Sequence, residues 1–381
     1  MIQEWFIDQF MLSQMEVILY ALAGAFWVYH LVNIFDTYSR AARLKEKPLE
    51  AKSLPPISII IAAKNEYDNL VNLIPELLNQ DYPHFEIVLM NDGSMDETDS
   101  WASQFALKES RLKYTYMDPD FLKVDGKKIA LTLGIKKAQH DHFVFLDGDC
   151  QIKSNQYLKE YGKAFSSGKN LILGISPYLK SKGLLNKLIQ FETFTTAASY
   201  LSFASKKKPY MGVGRNMGYT KGLYNSVNGF ESHYDVPCGD DDLFVQSVQE
   251  QCKVSVLLSE ESKTYSPAKQ NWKAYKSQKL RHLWAGKYYK TGVKTKLMRI
   301  PLSNYIFWLF VLSAILINYK FLIGAILILL KFITKWIVYH VSSKKRMKEH
   351  RISYYPIVSI VHFYFQIFMG IKLYFTKKIS W

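Results

Sequence analysis

The sequence predicts an α/β fold, a mostly parallel sheet with helices on both faces, joined at each end to membrane-spanning helices. Three observations predict it. Between residues 57 and 147, short near-continuous apolar runs alternate with helical patterns, as parallel strands covered on both faces require. Several of these strands end in acids or amides, which is where such sheets hold ligands. Near both termini, apolar stretches reach the roughly 20 residues that a membrane helix needs.

The chain has 381 residues, 49% of them apolar, and a formal charge of +16, enough for one large domain with appendages. Cys150, Cys238 and Cys252 cannot form a disulfide framework, and no Cys-x-x-Cys spacing exists. The central part is therefore built for a reducing compartment. Cys150 and Cys238 read as small fillers beside two motifs described below.

Residues 1–47 read as a membrane anchor. Met15–Phe35 is apolar and aromatic, broken by Glu16, His30 and Asn33. No basic residue precedes it, whereas Glu4 and Asp8 do, which argues against a cleaved signal peptide. Arg40, Arg43, Lys45 and Lys47 follow, so the positive-inside rule puts the N-terminus outside and the next domain in the cytoplasm.

Residues 48–262 form the α/β domain, with Pro48–Pro56 as linker. Ile57–Ala63 is a buried strand followed by Lys64-Asn65-Glu66 and a helix to Gln80. Phe85–Met90 is a second strand, leading into Asn91-Asp92-Gly93-Ser94-Met95-Asp96-Glu97-Thr98. A helix to Lys108, a strand at Leu112–Met117 and a helix over Lys127–Ala138 come next. The stretch Phe143-Val144-Phe145-Leu146-Asp147-Gly148-Asp149 is then a buried strand ending in two carboxylates around one glycine. As packing this is poor, and as a solvated turn it is ordinary. As metal chemistry it is good, because hard oxygen ligands suit Mg2+ or Mn2+ with positions left for phosphate oxygens. Glu66, Asp92 and Asp147/Asp149 all fall at strand ends, and three polar ends that converge make a site.

The pattern continues with a helix near Asn155–Phe165, a strand at Leu171–Ile175 and a helix from Leu184 to about Ala204. Met211–Gly218 is a glycine-rich loop (Gly212, Gly214, Arg215, Asn216) without dinucleotide spacing, which brings backbone close to a ligand. Pro237–Leu243 holds Asp240, Asp241 and Asp242. One such acid is an N-cap, but three adjacent ones repel unless a metal, a proton or a substrate hydroxyl relieves them.

Residues 263–300 are basic and interfacial. From Ser262 to Ile300 there are eleven Lys or Arg and no acid, interleaved with Trp272, Tyr275, Trp284, Tyr288 and Tyr289. That suits anionic headgroups, and the adjoining spans argue against nucleic acid. Gln278-Lys279-Leu280-Arg281-His282-Leu283-Trp284 is more specific than charge alone. In the membrane region 301–381, spans fall at about 302–318 and 321–339, joined by a tight turn and followed by basic Ser342–Arg351. A further stretch at 355–371 is compatible with crossing, dipping in or lying along the interface. Lys331 and Lys335 are expected to snorkel toward headgroups.

These motifs together resemble the membrane-bound glycosyltransferases of family 2, with a GT-A fold, over residues 55–290. Ile59–Glu66 is similar to the family's first strand and nucleoside-binding end. Asn91–Thr98 resembles its DGSxDxT signature, whose first acid, here Asp92, contacts the base. Gly126–Thr132 is similar to GKxxALN, with Thr132 in place of Asn. Asp147-Gly148-Asp149 resembles the DxD metal motif, and Gly239-Asp240-Asp241 the motif whose second acid is the catalytic base. Processive members carry QxxRW, whereas here Trp284 stands three positions past Arg281.

The resemblance implies an inverting, metal-dependent transfer from a nucleotide-sugar, UDP-linked, to a lipid-linked or glycan acceptor at the cytoplasmic face of the cell membrane. Asp241 would be the base with Asp240 as runner-up, and Asp147 and Asp149 would hold Mg2+ or Mn2+. Glu66, Asp92, Lys128, Asp147, Arg281 and Trp284 would meet the donor. Gly212, Gly214, Arg215, Asn216 and Gln278 would line the acceptor or sugar side. A processive polysaccharide synthase of the same family is the near alternative, and a non-catalytic scaffold or nucleotide-binding regulator the distant one. Sugar, acceptor and oligomeric state stay open.

Overall fold

The computed structural model describes residues 7, 11, 13–45, 53–118, 127–318, 321–346, 355–377 and 379. Glu4, Asp8, most of the linker, Gly126, the turn at 319–320 and the basic residues 347–351 lie outside the described residues. The chain divides into two compact units, Met1–Arg43 with Lys290–Ile360, and Leu44–Tyr289 with Val361–Trp381.

Helix α1 (Gln14–Arg43) opens the first unit. The second begins with β1 (Ile57–Ala63), α2 (Tyr67–Leu78), β2 (Phe85–Asp92), α3 (Thr98–Lys108) and β3 (Leu112–Met117). Then come α4 (Lys127–Lys137), β4 (His142–Asp147), the short β5 (Gln151–Ile152) and α5 (Tyr157–Ser166). They are followed by β6 (Leu171–Leu173), α6 (Leu184–Ser205), β7 (Met217–Thr220), α7 (Lys221–Asn225) and α8 (Asp242–Ser247). The unit continues with β8 (Val254–Val256), β9 (Thr264–Tyr265) and α9 (Trp272–Gly286).

The main sheet has seven strands in the order β3-β2-β1-β4-β7-β6-β8. β3, β2, β1 and β4 are parallel, β7 runs antiparallel to both β4 and β6, and β8 is parallel to β6. Strands β1, β2 and β4 are buried along almost their whole length, as their unbroken apolar runs require. Ile57, Ile59 and Ile61 on one face join Leu70, Leu73, Ile74 and Leu77 of α2 in the main core. On the other face α4 packs against β1 and β2. This is the mostly parallel, layered α/β fold expected; the strand that was not expected is β7, which inserts antiparallel between β4 and β6. Its four residues, Met-Gly-Tyr-Thr, alternate too little to announce a strand.

The register sets the site. Ala62 lies opposite Asp147 and Ala63 opposite Asn91, so β2 and β4 end level on either side of β1. Because β7 enters at Met217 opposite Phe145, the glycine-rich loop before it arrives at the carboxyl end of β4.

Helices α10 (Thr291–Asn318) and α11 (Phe321–Arg346) complete the first unit with α1, and α12 (Tyr355–Phe375) follows. All four helices α1, α10, α11 and α12 are long and apolar enough to cross a membrane. Ala23, Phe307 and Val311 form the inner contact of α1 and α10, with Trp27, Trp308 and Leu327 around them. His30 Nδ1 lies 3.0 Å from Ser303 Oγ. Lys331 does not snorkel. It is only 2% exposed, and its ammonium sits 3.5 Å over the Phe307 ring, which offers it a cation–π partner inside the helix bundle.

Candidate active site

Asp147 closes β4, and Gly148-Asp149 turns out of the sheet. Gly148 occupies a crowded position. A Cβ there would lie 3.0–3.1 Å from the Glu66 side chain and 3.4 Å from Ala63 Cβ. The glycine thus lets Glu66, just past the end of β1, lie against the Asp-Gly-Asp turn. Asn69 Nδ2 donates to Glu66 Oε2 at 2.5 Å and fixes it there. Burial, and then the charges of Asp149 and Asp147, raise the Glu66 carboxyl above its ordinary range. Burial and the charge of Asp147 raise Asp149 too, while Ser266 Oγ donates to Asp149 Oδ1 at 3.1 Å. Burial works against ionisation of Asp147 as well, but the ammonium of Lys127 outweighs it and holds that carboxyl low.

Lys127 is the residue that joins the site. From the first turn of α4 its Nζ reaches Asp147 Oδ1 at 2.9 Å and Asp240 Oδ2 at 3.3 Å. The end of β4 and the entry to α8, nearly a hundred residues apart in sequence, therefore share one cation. Lys128, the lysine expected at the donor, turns away: it is buried, and its Nζ donates to the carbonyls of His233 at 2.5 Å and Val236 at 2.7 Å. The doubled Lys-Lys hid the distinction, because only the helix phase decides which lysine faces the strand end.

The three adjacent acids have three different partners. Asp240 is paired with Lys127. Asp242 is buried, accepts from Tyr289 Oη at 2.5 Å and from Leu243 N at 2.7 Å, and titrates near 6 because burial raises it. Asp241 caps α8, accepting from Asp242 N at 2.7 Å and from Gly214 N at 3.0 Å. Burial, then Asp242 and Asp240, push it up to about 8. Asp240, Lys127 and Asp147 face a small cavity together with Gly214, Phe145 and Tyr219.

The glycine-rich loop splits into wall and anchor. Gly214 touches the acids. Arg215 donates to Ser176 Oγ at 2.7 Å and Tyr178 Oη at 3.1 Å, and its guanidinium lies 4.3 Å over the Tyr178 ring. Gln278 of α9 donates to the same Tyr178 hydroxyl at 3.1 Å, so Gln278 and Arg215 share a partner. Asn216 is a correction. It has no exposed surface, and all four of its amide bonds are used internally: Tyr157 and Tyr161 donate to Oδ1, and Nδ2 donates to the carbonyls of Ile175 and Ser262. An amide with no spare capacity cannot meet an acceptor.

Asp92 ends β2 on the far side of β1 from Asp147, about 10 Å away at two strand spacings. Around it, Asn65 N donates to Ser94 Oγ and Met95 N to Asn65 Oδ1, which laces the ends of β1 and β2. Arg281 and Trp284 lie on α9. Trp284 packs with the Val236, Cys238, Leu243 and Ala285 cluster, and Lys287 sits 3.9 Å over its ring.

Around the Asp-Gly-Asp turn the carboxylates of Asp147, Asp149 and Glu66 and the Ser266 hydroxyl offer the hard oxygens that suit a divalent cation, with the Lys127 ammonium beside Asp147. Among the described residues no set of three or more His, Cys, Asp or Glu is already arranged around one point. Mg2+ and Mn2+ bind through one or two carboxylates and substrate phosphates, so the pair Asp147 and Asp149 fits that use. Burial first, and then the neighbouring acid charges, disfavour the ionised Glu66 and Asp149, a cost that a bound cation would offset.

The match to known sequences decides the family. Residues 58–227 match the Glycosyl transferase family 2 profile. They form a family 2 glycosyltransferase domain. The poly-beta-1,6-N-acetyl-D-glucosamine synthase of Staphylococcus aureus (strain MSSA476) is 30% identical over 130 residues, which are 32% of this chain and 29% of that protein. The putative glycosyltransferase CsbB of Bacillus subtilis (strain 168) is 33% identical over 121 residues, 31% of this chain and 35% of its own. The matches thus span about a third of the length of these curated relatives. The mannosyltransferase PcManGT from Pyrobaculum calidifontis, solved in complex with GDP-Man and Mn2+, aligns over 96% of this chain and 100% of its own, with a TM-score of 0.61 at 16% identity. That likeness is one of fold, and the glycosyltransferase fold here is GT-A. The family match ends before Asp240–Asp242 and α9, so those parts of the glycosyltransferase site rest on geometry.

Proposed function

We propose that this family 2 glycosyltransferase moves a sugar, with inversion, from a nucleotide-sugar to a hydroxyl of a lipid-linked or glycan acceptor at the cytoplasmic face of a membrane. The Lys127 bridge between Asp147 and Asp240 supports this reading most. It brings Asp147 of the diphosphate-type cation site and Asp240 of the acid cluster to one small cavity, with Asp241 next to Asp240 in the chain, which is the proximity that a single in-line displacement needs.

Asp241 is the proton acceptor. Of its two neighbours, Asp240 is neutralised by Lys127 and Asp242 is tied to Tyr289, whereas Asp241 meets only backbone donors and keeps a raised proton affinity. It takes the proton of the acceptor hydroxyl as that oxygen bonds to the anomeric carbon and the nucleoside diphosphate leaves. Asp147 and Asp149 would hold Mg2+ or Mn2+, which supplies positive charge to the leaving diphosphate. Lys127 sits beside Asp147 and adds charge on the same side. Arg281 is a further cation for the diphosphate, Glu66 and Asp92 meet the nucleoside, and Gly214 with Arg215 walls the sugar. One base suffices, because an inverting transfer makes no covalent intermediate.

The test is nucleotide release by the detergent-purified protein with native membrane lipids, across UDP-, GDP- and dTDP-sugars, with Mn2+ or Mg2+. Metal-dependent release from one donor, lost in Asp149→Ala, is expected. Asp241→Asn is expected to abolish transfer and leave nucleotide binding within about twofold, since the base acts only as the acceptor attacks. Silence with every donor together with no nucleotide binding would favour a scaffold. A processive synthase is the second reading, favoured by the named activity of the Staphylococcus aureus relative. The length of the product decides between one transfer and many.

A further inference from the structure

By length and hydropathy, Ile357–Phe375 of α12 qualifies as a fourth span. Its contacts within the catalytic unit are hard to reconcile with crossing. The midpoint of that stretch, halfway between 357 and 375, is residue 366. On both sides of it α12 packs against helices that belong to the glycosyltransferase unit. Phe365 stacks on Tyr275 of α9 with centroids 5.2 Å apart and planes at 17°, and lies 6.1 Å from Trp272. Lys276 Nζ is 5.7 Å from the Phe368 ring centre, and His362 meets Phe191 of α6 edge-on at 5.2 Å.

Helix α9 carries Lys273, Lys276, Lys279 and Arg281. Tyr275, the residue under Phe365, donates its hydroxyl to Glu192 of α6, and Lys279 pairs with the same carboxylate at 2.6 Å. If α12 crossed, this run of lysines and the ion pair would sit level with the bilayer centre, where charged side chains are strongly disfavoured.

The two faces of α12 point to the alternative. Tyr355, Val358, Ser359 and Met369 are buried, at helical spacing and on the same side as His362 and Phe365. The opposite stripe is Ile357, Ile360, Tyr364, Phe368, Ile371 and Tyr374, all exposed, Tyr364 by 65% and Tyr374 by 83%. So large an apolar and aromatic stripe is not left to water. Beside it, α9 carries its four Lys and Arg residues and no acid.

We propose that α12 does not cross the membrane but lies along its surface, on the side that holds the catalytic unit, with the outer stripe among the lipid tails and headgroups. The occupant of the stripe is the lipid leaflet. The basic run of α9 draws anionic headgroups to the same place, and the tyrosines suit the polar–apolar boundary. The chain then crosses three times, through α1, α10 and α11, and its C-terminus lies on the catalytic side.

Sided labelling of the full chain in sealed vesicles tests this. Lys377→Cys, just past α12, and Lys108→Cys, exposed at the end of α3, are each treated with a membrane-impermeant maleimide. Both substitutions are made in a Cys252→Ser chain, because Cys252 is partly exposed, and that chain, with Cys150 and Cys238 buried, serves as blank. Labelling of both variants from the same face and of neither from the other is the expected result. Labelling from opposite faces would overturn the proposal. A nitroxide on Tyr364→Cys then reports depth, through its relative accessibility to oxygen and to a nickel chelate. A depth just beneath the headgroups is expected. A label in water, or one at the bilayer centre, would equally overturn it.

Discussion

Proton uptake by Asp241 makes a pH signature that a mutation next door should move. Its carboxyl titrates at about 8 because it is buried and has Asp242 and Asp240 as neighbours. The sign follows: the protonated form, useless as a base, dominates below that value. About one enzyme in ten is competent at pH 7 and about one in a hundred at pH 6, so kcat/KM should rise roughly tenfold over that interval and level off above about 9. Asp242→Asn removes the larger of the two like charges, while its amide oxygen can still accept from Leu243 N and Tyr289 Oη. A close charge typically moves a neighbour by about one unit or more, which is ~1.4 kcal/mol. The midpoint of the variant should therefore fall by about one unit, and at pH 6.5 it should keep roughly 5–10 times more of its plateau activity than the parent. The assay is kcat/KM from initial nucleotide release between pH 5.5 and 9.5, for the donor that the release panel identifies. Coincident midpoints in the two proteins, or a parent profile flat between pH 6 and 8, would refute the assignment of Asp241.

The same burial predicts a stability gain from losing the base. A carboxyl raised in the folded state destabilises it when ionised, so Asp241→Asn should melt higher than the parent, by a margin that opens as pH rises above the ordinary 3.8 and levels off above about 8; melting curves in detergent check this. Asn216→Ala should lower stability by roughly 3–4 kcal/mol, since four hydrogen bonds of about 1 kcal/mol each are lost and two buried tyrosine hydroxyls lose an acceptor. Thermal unfolding reads that loss, and unchanged melting would count against the hub. Gly148→Ala drives a methyl against Glu66 and should weaken metal-dependent nucleotide binding by about tenfold, roughly 1.4 kcal/mol, with little change in melting. Calorimetric titration measures it, and full-strength binding would show that the Glu66 contact is dispensable.

The strand-and-helix alternation was legible because β1, β2 and β4 are buried on both faces and so must be apolar throughout. Asp147 and Asp149 stood out for the opposite reason, as acids where packing gives no account of them. What sequence could not supply was orientation. Lys127 and Lys128 are neighbours of one type, yet one binds acids and the other binds carbonyls, and helix phase alone separates them. Asn216 sits among glycines that suggest a ligand, but its partners Tyr157, Tyr161 and Ser262 are distant in sequence, so its saturation was invisible. Tyr178 was missed because an isolated tyrosine carries no spacing signal, and Tyr289, visible only as one aromatic of the basic run, gave no sign that it would meet Asp242. Asp240 to Asp242 presented the same limit, since three identical residues differ only in what they face.

The Asn216 hub has a consequence for how a substrate is received. One amide ties its own loop to α5, to the stretch after β6 and to the segment before β9, while Gly214 beside it is bonded to Asp241. The loop is thereby ordered when the protein folds. A sugar arriving against it gives up its own freedom and little of the protein's, so this side of the site selects by fixed shape and does not remould around its guest.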